Sequence, residues 1–109
     1  MRKISEKDIK ANRVAGQEGY INYQNMLKTD TIGITLTTVE PNSIAPKPIH
    51  SHKERQLNFI IEADATLICG GKKTNVETGD LLIFDGWEDH SFKVTGEKKL
   101  RSLEIKLYD

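Results

Sequence analysis

The chain lacks a second cysteine, a net charge and any long apolar run, and each absence closes off a class of protein. Cys69 alone cannot form an internal disulfide, which agrees with a reducing compartment and leaves its thiol to read as a small buried hydrophobe. Sixteen Lys and Arg balance sixteen Asp and Glu. No block of like charge stands out beyond the pairs Lys72-Lys73 and Lys98-Lys99, which argues against nucleic acid and anionic membrane as partners. No apolar stretch approaches the roughly 20 residues that span a bilayer. The opening residues Met1-Arg2-Lys3-Ile4-Ser5-Glu6-Lys7 have no apolar signal core, so a cytoplasmic protein is expected. Internal repeats and low-complexity tracts are missing, and so is any Ser-His-Asp or Cys-His spacing for nucleophilic chemistry. No catalytic residue can therefore be assigned. At 109 residues the chain suits one domain, 1–109, with a real core and no room for a second.

What the sequence does have is β-pattern. Only the N-terminus reads as a short helix: Ser5 is placed to cap, Asp8 follows three residues later as in a capping box, and Ile4 and Ile9 fit a hydrophobic staple. Residues 31–39 alternate apolar and hydroxylated side chains until Pro41-Asn42 breaks the run. Gly70-Gly71 is a two-residue hairpin signal, and Thr78-Gly79-Asp80 and Thr95-Gly96-Glu97 mark further reversals. Short strands joined by tight turns imply an all-β sandwich or barrel. Residues 57–61 and 81–84 are apolar at almost every position, which places both faces of these strands away from water. The N-terminal segment is too small to cover them, and a second copy of the chain, giving a homodimer, is the expected lid. Residues 100–107 alternate, with Leu103, Ile105 and Leu107 on one face and Glu104 and Lys106 on the other, as in a half-exposed strand.

Against this background His50, His52, Gln56 and His90 stand out. In a strand, residues i and i+2 share a face, so His50 and His52 present two imidazoles to one side, and Gln56 keeps that parity if no bulge intervenes. His90 opens a later strand after a loop. Three imidazoles and a carboxamide are thereby placed to gather around one metal ion.

Two stretches carry a family resemblance. His50-Ser51-His52-Lys53-Glu54-Arg55-Gln56 resembles the first motif of the cupin superfamily, a His-x-His followed after three residues by an acidic ligand, here Gln. The second motif is matched by residues 79–90, where Gly79 and His90 hold family positions, while Asp85 stands for the usual Pro and Trp87 for the usual Gly. Ile44 and Ala63 also stand where the family has Gly, and Asn42 is suited to replace the first of these in its turn. The resemblance covers residues 41–94 and implies a double-stranded β-helix, the cupin jelly-roll barrel of small single-domain, RmlC-like proteins.

The resemblance also implies a divalent transition metal (Fe, Mn, Ni, Zn or Cu) held by His50, His52, Gln56 and His90. Replacing a carboxylate by Gln56 removes a negative charge, leaving the ion a stronger Lewis acid that is less firmly retained. Gln56 either coordinates or hydrogen-bonds a bound water or substrate oxygen. Asn58 shares its parity and points a carboxamide into the same cavity. Phe92, in phase with His90, is an apolar wall or plain core, and Trp87 covers the mouth or packs on a partner subunit. Asp85, Glu88 and Asp89 are acceptors for an imidazole N–H or solvated loop charges. In such a family, oxygenase, isomerase or lyase chemistry on a small polar metabolite is expected, with a non-catalytic ligand-binding or sensing module as the alternative.

Overall fold

The structure is a computed structural model that describes residues 1–50 and 52–108, without the side chains of residues 47–50. Ten strands follow one another among the described residues: β1 Asn12–Ala15, β2 Tyr20–Lys28, β3 Ile32–Val39, β4 Ser43–His50, β5 Arg55–Glu62, β6 Asp64–Cys69, β7 Lys72–Glu77, β8 Leu81–Phe84, β9 His90–Val94 and β10 Leu100–Leu107. They form a six-stranded sheet in the order β1-β2-β3-β10-β5-β8 and a four-stranded sheet in the order β4-β9-β6-β7. The fold is all-β, as expected.

Turn chemistry explains where the strands end. Gly70 and Gly71 have φ of 56° and 75°, the pair of left-handed conformations that matches the twist of a tight hairpin. Asn42 takes φ 57° at the break after β3, filling the role of a turn glycine. Between the sheets, one end of the barrel is closed by an apolar core that includes Ile21, Val39, Ile60, Leu67, Val76, Val94 and Leu100. The other end is open and polar.

The N-terminus is not the short helix its pattern suggests. A single 3-10 turn, Glu6–Asp8, is present, and the Ser5 side chain makes no capping bond. One helical turn has too little propagation to offset its nucleation. The segment is instead tied to the outer face of the six-stranded sheet: Gln24 Nε2 donates to the carbonyls of Glu6 and Ile9, and Arg101 pairs with Glu6 at 2.6 Å.

The faces of the six-stranded sheet also differ from the expectation. Along β10, Leu100 and Ser102 are fully buried, and Glu104 and Lys106 continue on that same inner face to line the cavity. Leu103 and Ile105 point outward, in register with Leu36 and Ile34 on β3 and with Phe59 and Leu57 on β5. Leu81 and Ile83 on β8 complete the two rows. Phe59 and Ile61 on β5 and Leu81 and Ile83 on β8 are therefore exposed on this chain, Leu81 by 54% and Ile83 by 66%.

Candidate functional site

The open end of the barrel encloses a cavity of about 480 Å³ reached by His52, Gln56, Asn58, His90, Phe92, Glu104 and Lys106, among others. Strand alternation places most of these. Gln56, Asn58 and Ile60 alternate inward along β5, all buried, and His90 and Phe92 do the same at the start of β9.

His52 reaches the cavity by a different route from the one its spacing suggests. β4 is described as far as His50, and His52 itself lies outside the strands. The loop carrying His52 is pinned by the segment before β9. Trp87 N–H donates to the His52 carbonyl at 2.6 Å, and Gly86 lies so close that a Cβ there would stand 2.6 Å from the Lys53 carbonyl oxygen. Making this contact puts Trp87 at φ 69°, a left-handed conformation that a bulky residue rarely adopts, which accounts for glycine being usual there. The Trp87 ring is 68% exposed and is not part of the cavity lining.

His52 and His90 meet edge to face with ring centroids 5.6 Å apart, and His90 stacks on Phe84 at 4.4 Å. Each ring has its Nδ1 near a backbone carbonyl, that of Glu54 at 3.0 Å for His52 and that of Glu88 at 3.3 Å for His90. Such contacts select the Nδ1–H tautomer and place the lone pair on Nε2, the arrangement of a histidine ligand. His52 Nε2 lies 3.0 Å from Gln56 Oε1. Gln56 Nε2 donates to Asn58 Oδ1 at 2.7 Å, and Asn58 Nδ2 to Ser102 Oγ at 2.7 Å, a buried relay leading into the core.

These contacts test whether the residues fit a metal. Both nitrogens of the His52 ring face an oxygen acceptor, and a neutral imidazole has only one N–H to offer. Turning the Gln56 amide would relieve the conflict only if Asn58 turned with it, since the relay fixes their relative directions. A cation shared by Nε2 and Oε1 would relieve it directly, since each atom has a lone pair to offer. The donor set fits. Among the described residues no group of three His, Cys, Asp or Glu is placed to hold an ion. The remaining expected ligand, His50, has its side chain outside the described residues, although its backbone pairs in register with His90.

The Glu88 and Asp89 carboxylates are engaged elsewhere. Glu88 Oε1 accepts from Asp85 N–H at 2.7 Å, Asp89 Oδ1 accepts from Gly70 N–H at 2.7 Å, and Cys69 Sγ lies 3.8 Å from Glu88 Oε2. Glu88 serves His90 through its backbone carbonyl instead of its carboxylate. Burial, with Glu88 and Asp89 nearby, pushes the Cys69 thiol up.

Sequence reasoning missed the charged residues of the far wall, Glu104 and Lys106. Tyr23, Asn25, Thr35, Glu104 and Lys106 all line the cavity. Burial pushes the Glu104 carboxyl above its ordinary range, opposed by the charges of Lys106 and His52. Tyr23 is pushed up to about 12, by burial and then by Glu104. One signal was available: Gln56 and Asn58 already made the inner face of β5 polar, so polarity on neighbouring β10 did not mark the solvent side.

A barrel of two antiparallel sheets with paired histidines and an amide at its open end is the architecture of a cupin. The model of the cupin domain matches residues 35–106, and the chain belongs to that family. Among solved structures, a predicted oxalate decarboxylase from Thermotoga maritima superposes with a TM-score of 0.88 at 19% identity, over 97% of this chain and 98% of that one. The polyketide cyclase RemF from Streptomyces resistomycificus gives 0.86 at 20% identity, over 100% and 80%. An RmlC-like cupin from Shewanella frigidimarina gives 0.82 at 12% identity, over 100% and 93%. No curated protein matches the chain.

Proposed function

We propose that this cupin binds a divalent transition metal (Fe, Mn, Ni, Zn or Cu) through His50, His52, His90 and Gln56, and acts on a small polar metabolite in the cavity. The observation that carries this reading is the His52 ring, with Nδ1 held by the Glu54 carbonyl and Nε2 3.0 Å from an amide oxygen that a buried relay orients. When bound, the ion would supply Lewis acidity, undiminished by a carboxylate ligand, to polarise substrate oxygens. The protein's part is positional. Glu54 and Glu88 carbonyls set the tautomers, Phe84 fixes the His90 ring, and Asn58 and Ser102 hold Gln56 so that its oxygen faces His52. Asn58 and Phe92 would give the substrate one polar and one apolar contact, and Trp87, on the exposed loop, would cover the entrance. Oxygenase, isomerase or lyase chemistry suits such a site. A predicted oxalate decarboxylase and a polyketide cyclase among the proteins sharing this fold support the enzyme reading.

The alternative, a ligand-binding or sensing barrel, is favoured by one observation: the relay Gln56-Asn58-Ser102 contains no group that titrates near neutral pH. We also propose that the chain folds as one domain over 1–109, pairs as a homodimer through the outer face of the six-stranded sheet, and resides in the cytoplasm, in keeping with its lone thiol.

The deciding experiment is elemental analysis of protein purified without a histidine tag, followed by thermal melting with added Fe, Mn, Ni or Zn. Close to one equivalent of metal, or a clear rise in Tm, is expected. Less than about a tenth of an equivalent together with an unchanged Tm defeats the metal reading. His90→Ala then separates the two functions: it abolishes turnover in an enzyme, whereas a sensor binds a ligand saturably and forms no product.

A further inference from the structure

The inner face of the six-stranded sheet carries two adjacent polar rows. In one, Asn58 pairs with Glu104, Glu104 with Thr35 and Thr35 with Asn25; in the next, Gln56 pairs with Lys106, Lys106 with Gly33 and Gly33 with Lys28. Directly opposed residues on neighbouring strands have Cβ atoms about 5 Å apart. Lys106 is thus the immediate neighbour of Gln56, and Glu104 that of Asn58. Gly33 removes the side chain between the two lysines, and Tyr108 fills the space above it: a Cβ at Gly33 would stand 2.9 Å from the Tyr108 hydroxyl. Lys28 Nζ lies 5.8 Å from the Tyr108 ring centroid.

Among the described residues, no hydrogen bond or ion pair engages the Glu104 carboxyl or the Lys106 ammonium, although both line the cavity. A partly buried carboxyl and a partly buried ammonium on one wall, with no salt bridge between them, leave hydrogen-bonding capacity directed at whatever enters. The cavity lining contains two lysines and one carboxyl, and burial opposes ionisation of that carboxyl. Its electrostatic balance therefore favours an anion, the more so in a cleft with low-dielectric walls.

We propose that Lys106 and Lys28 form an oxyanion subsite near the cavity mouth, and that the Glu104 carboxyl hydrogen-bonds a hydroxyl group of the same ligand. The ligand class is a small hydroxy acid whose anionic group is a carboxylate or a phosphate. This deepens the proposed function, since it rests on the cavity being the site, but it does not depend on a metal being held there.

Titration calorimetry with malate, inorganic phosphate and, as a neutral control, glycerol tests it on the full chain, beside measurement of metal uptake for each variant. Malate or phosphate binds the parent protein and glycerol does not. Whichever anion binds more tightly identifies the head group. Lys106→Met and Lys28→Met each weaken anion binding by about tenfold, the loss expected for one charge-assisted hydrogen bond. Both variants take up metal as the parent does. Glu104→Gln, which keeps a hydrogen-bonding group of the same size, preserves malate binding, whereas Glu104→Ala loses it. Anion binding that is unchanged in both lysine variants, binding of glycerol as tight as that of the anions, or no anion binding by the folded parent overturns the proposal. Lysine-dependent anion binding by a protein that takes up no metal sustains the subsite while defeating the metal reading, so the two fail separately.

Discussion

An amide at position 56 changes what the neighbouring side chains must do. It needs a donor-acceptor partner on each side, and His52 and Asn58 supply them, with Ser102 closing the relay. Asn58→Ala strands the Gln56 amide and the Ser102 hydroxyl in a buried setting and is expected to cost about 1–3 kcal/mol in urea denaturation. Glu104 acts on stability in the opposite sense. Its folded pKa lies above the ordinary 4.5, so between the two values the folded state holds more protons than the unfolded one. Stability is then full below 4.5 and falls as pH rises through the folded value. Glu104→Gln should accordingly raise Tm at pH 7 and show no gain near pH 4. A Tm difference that grows towards acid would contradict this assignment. Trp87 is held at φ 69°, and Trp87→Gly should relieve up to about 1 kcal/mol of strain, visible as a higher denaturation midpoint. Burial raises the Cys69 pKa, and two carboxylates assist. Iodoacetamide should therefore alkylate it more slowly at pH 8 than it does free glutathione.

At the scale of elements, the boundaries followed from turn residues and the facing did not. The strand at 81–84, the strand at 100–107 and the Gly70-Gly71 hairpin stand where alternation and turn chemistry place them. On β10, however, the usual rule of polar side outward reverses, because a barrel with a polar cavity has a wet inside. His52 likewise escapes strand periodicity: its place comes from a loop anchored by Trp87 N–H. The connection before β2 depends on backbone shape. Gly19 has φ +63°, and a Cβ there would stand 2.0 Å from Ser43 Oγ, whose side chain is buried and accepts from Tyr20 N–H. Gly19→Ala should destabilise the fold by at least about 1–2 kcal/mol, measured by thermal or urea unfolding.

For the whole molecule, the outer face of the six-stranded sheet sets the next expectation. Two rows, Leu36-Leu103-Phe59-Leu81 and Ile34-Ile105-Leu57-Ile83, cross four strands, and the residues at the β8 edge are the most open to water. Contiguous apolar surface of this kind marks a protein interface. Light scattering should give twice the chain mass, and Ile83→Glu should return it to the chain mass without unfolding; a parent protein that stays monomeric at high concentration rejects the dimer. The sequence by itself determined the all-β class and the turns at Asn42 and Gly70-Gly71, because turns and side-chain alternation are local properties, and its family resemblance proposed His50, His52, Gln56 and His90 as a set. Only the tertiary structure decided which face of β10 meets the cavity, that Glu104 and Lys106 stand beside Asn58 and Gln56, and that Trp87 holds the His52 loop. Those facts arise from the register between strands distant in sequence, and a local pattern of polar and apolar residues reads the same whichever side of the sheet holds the water.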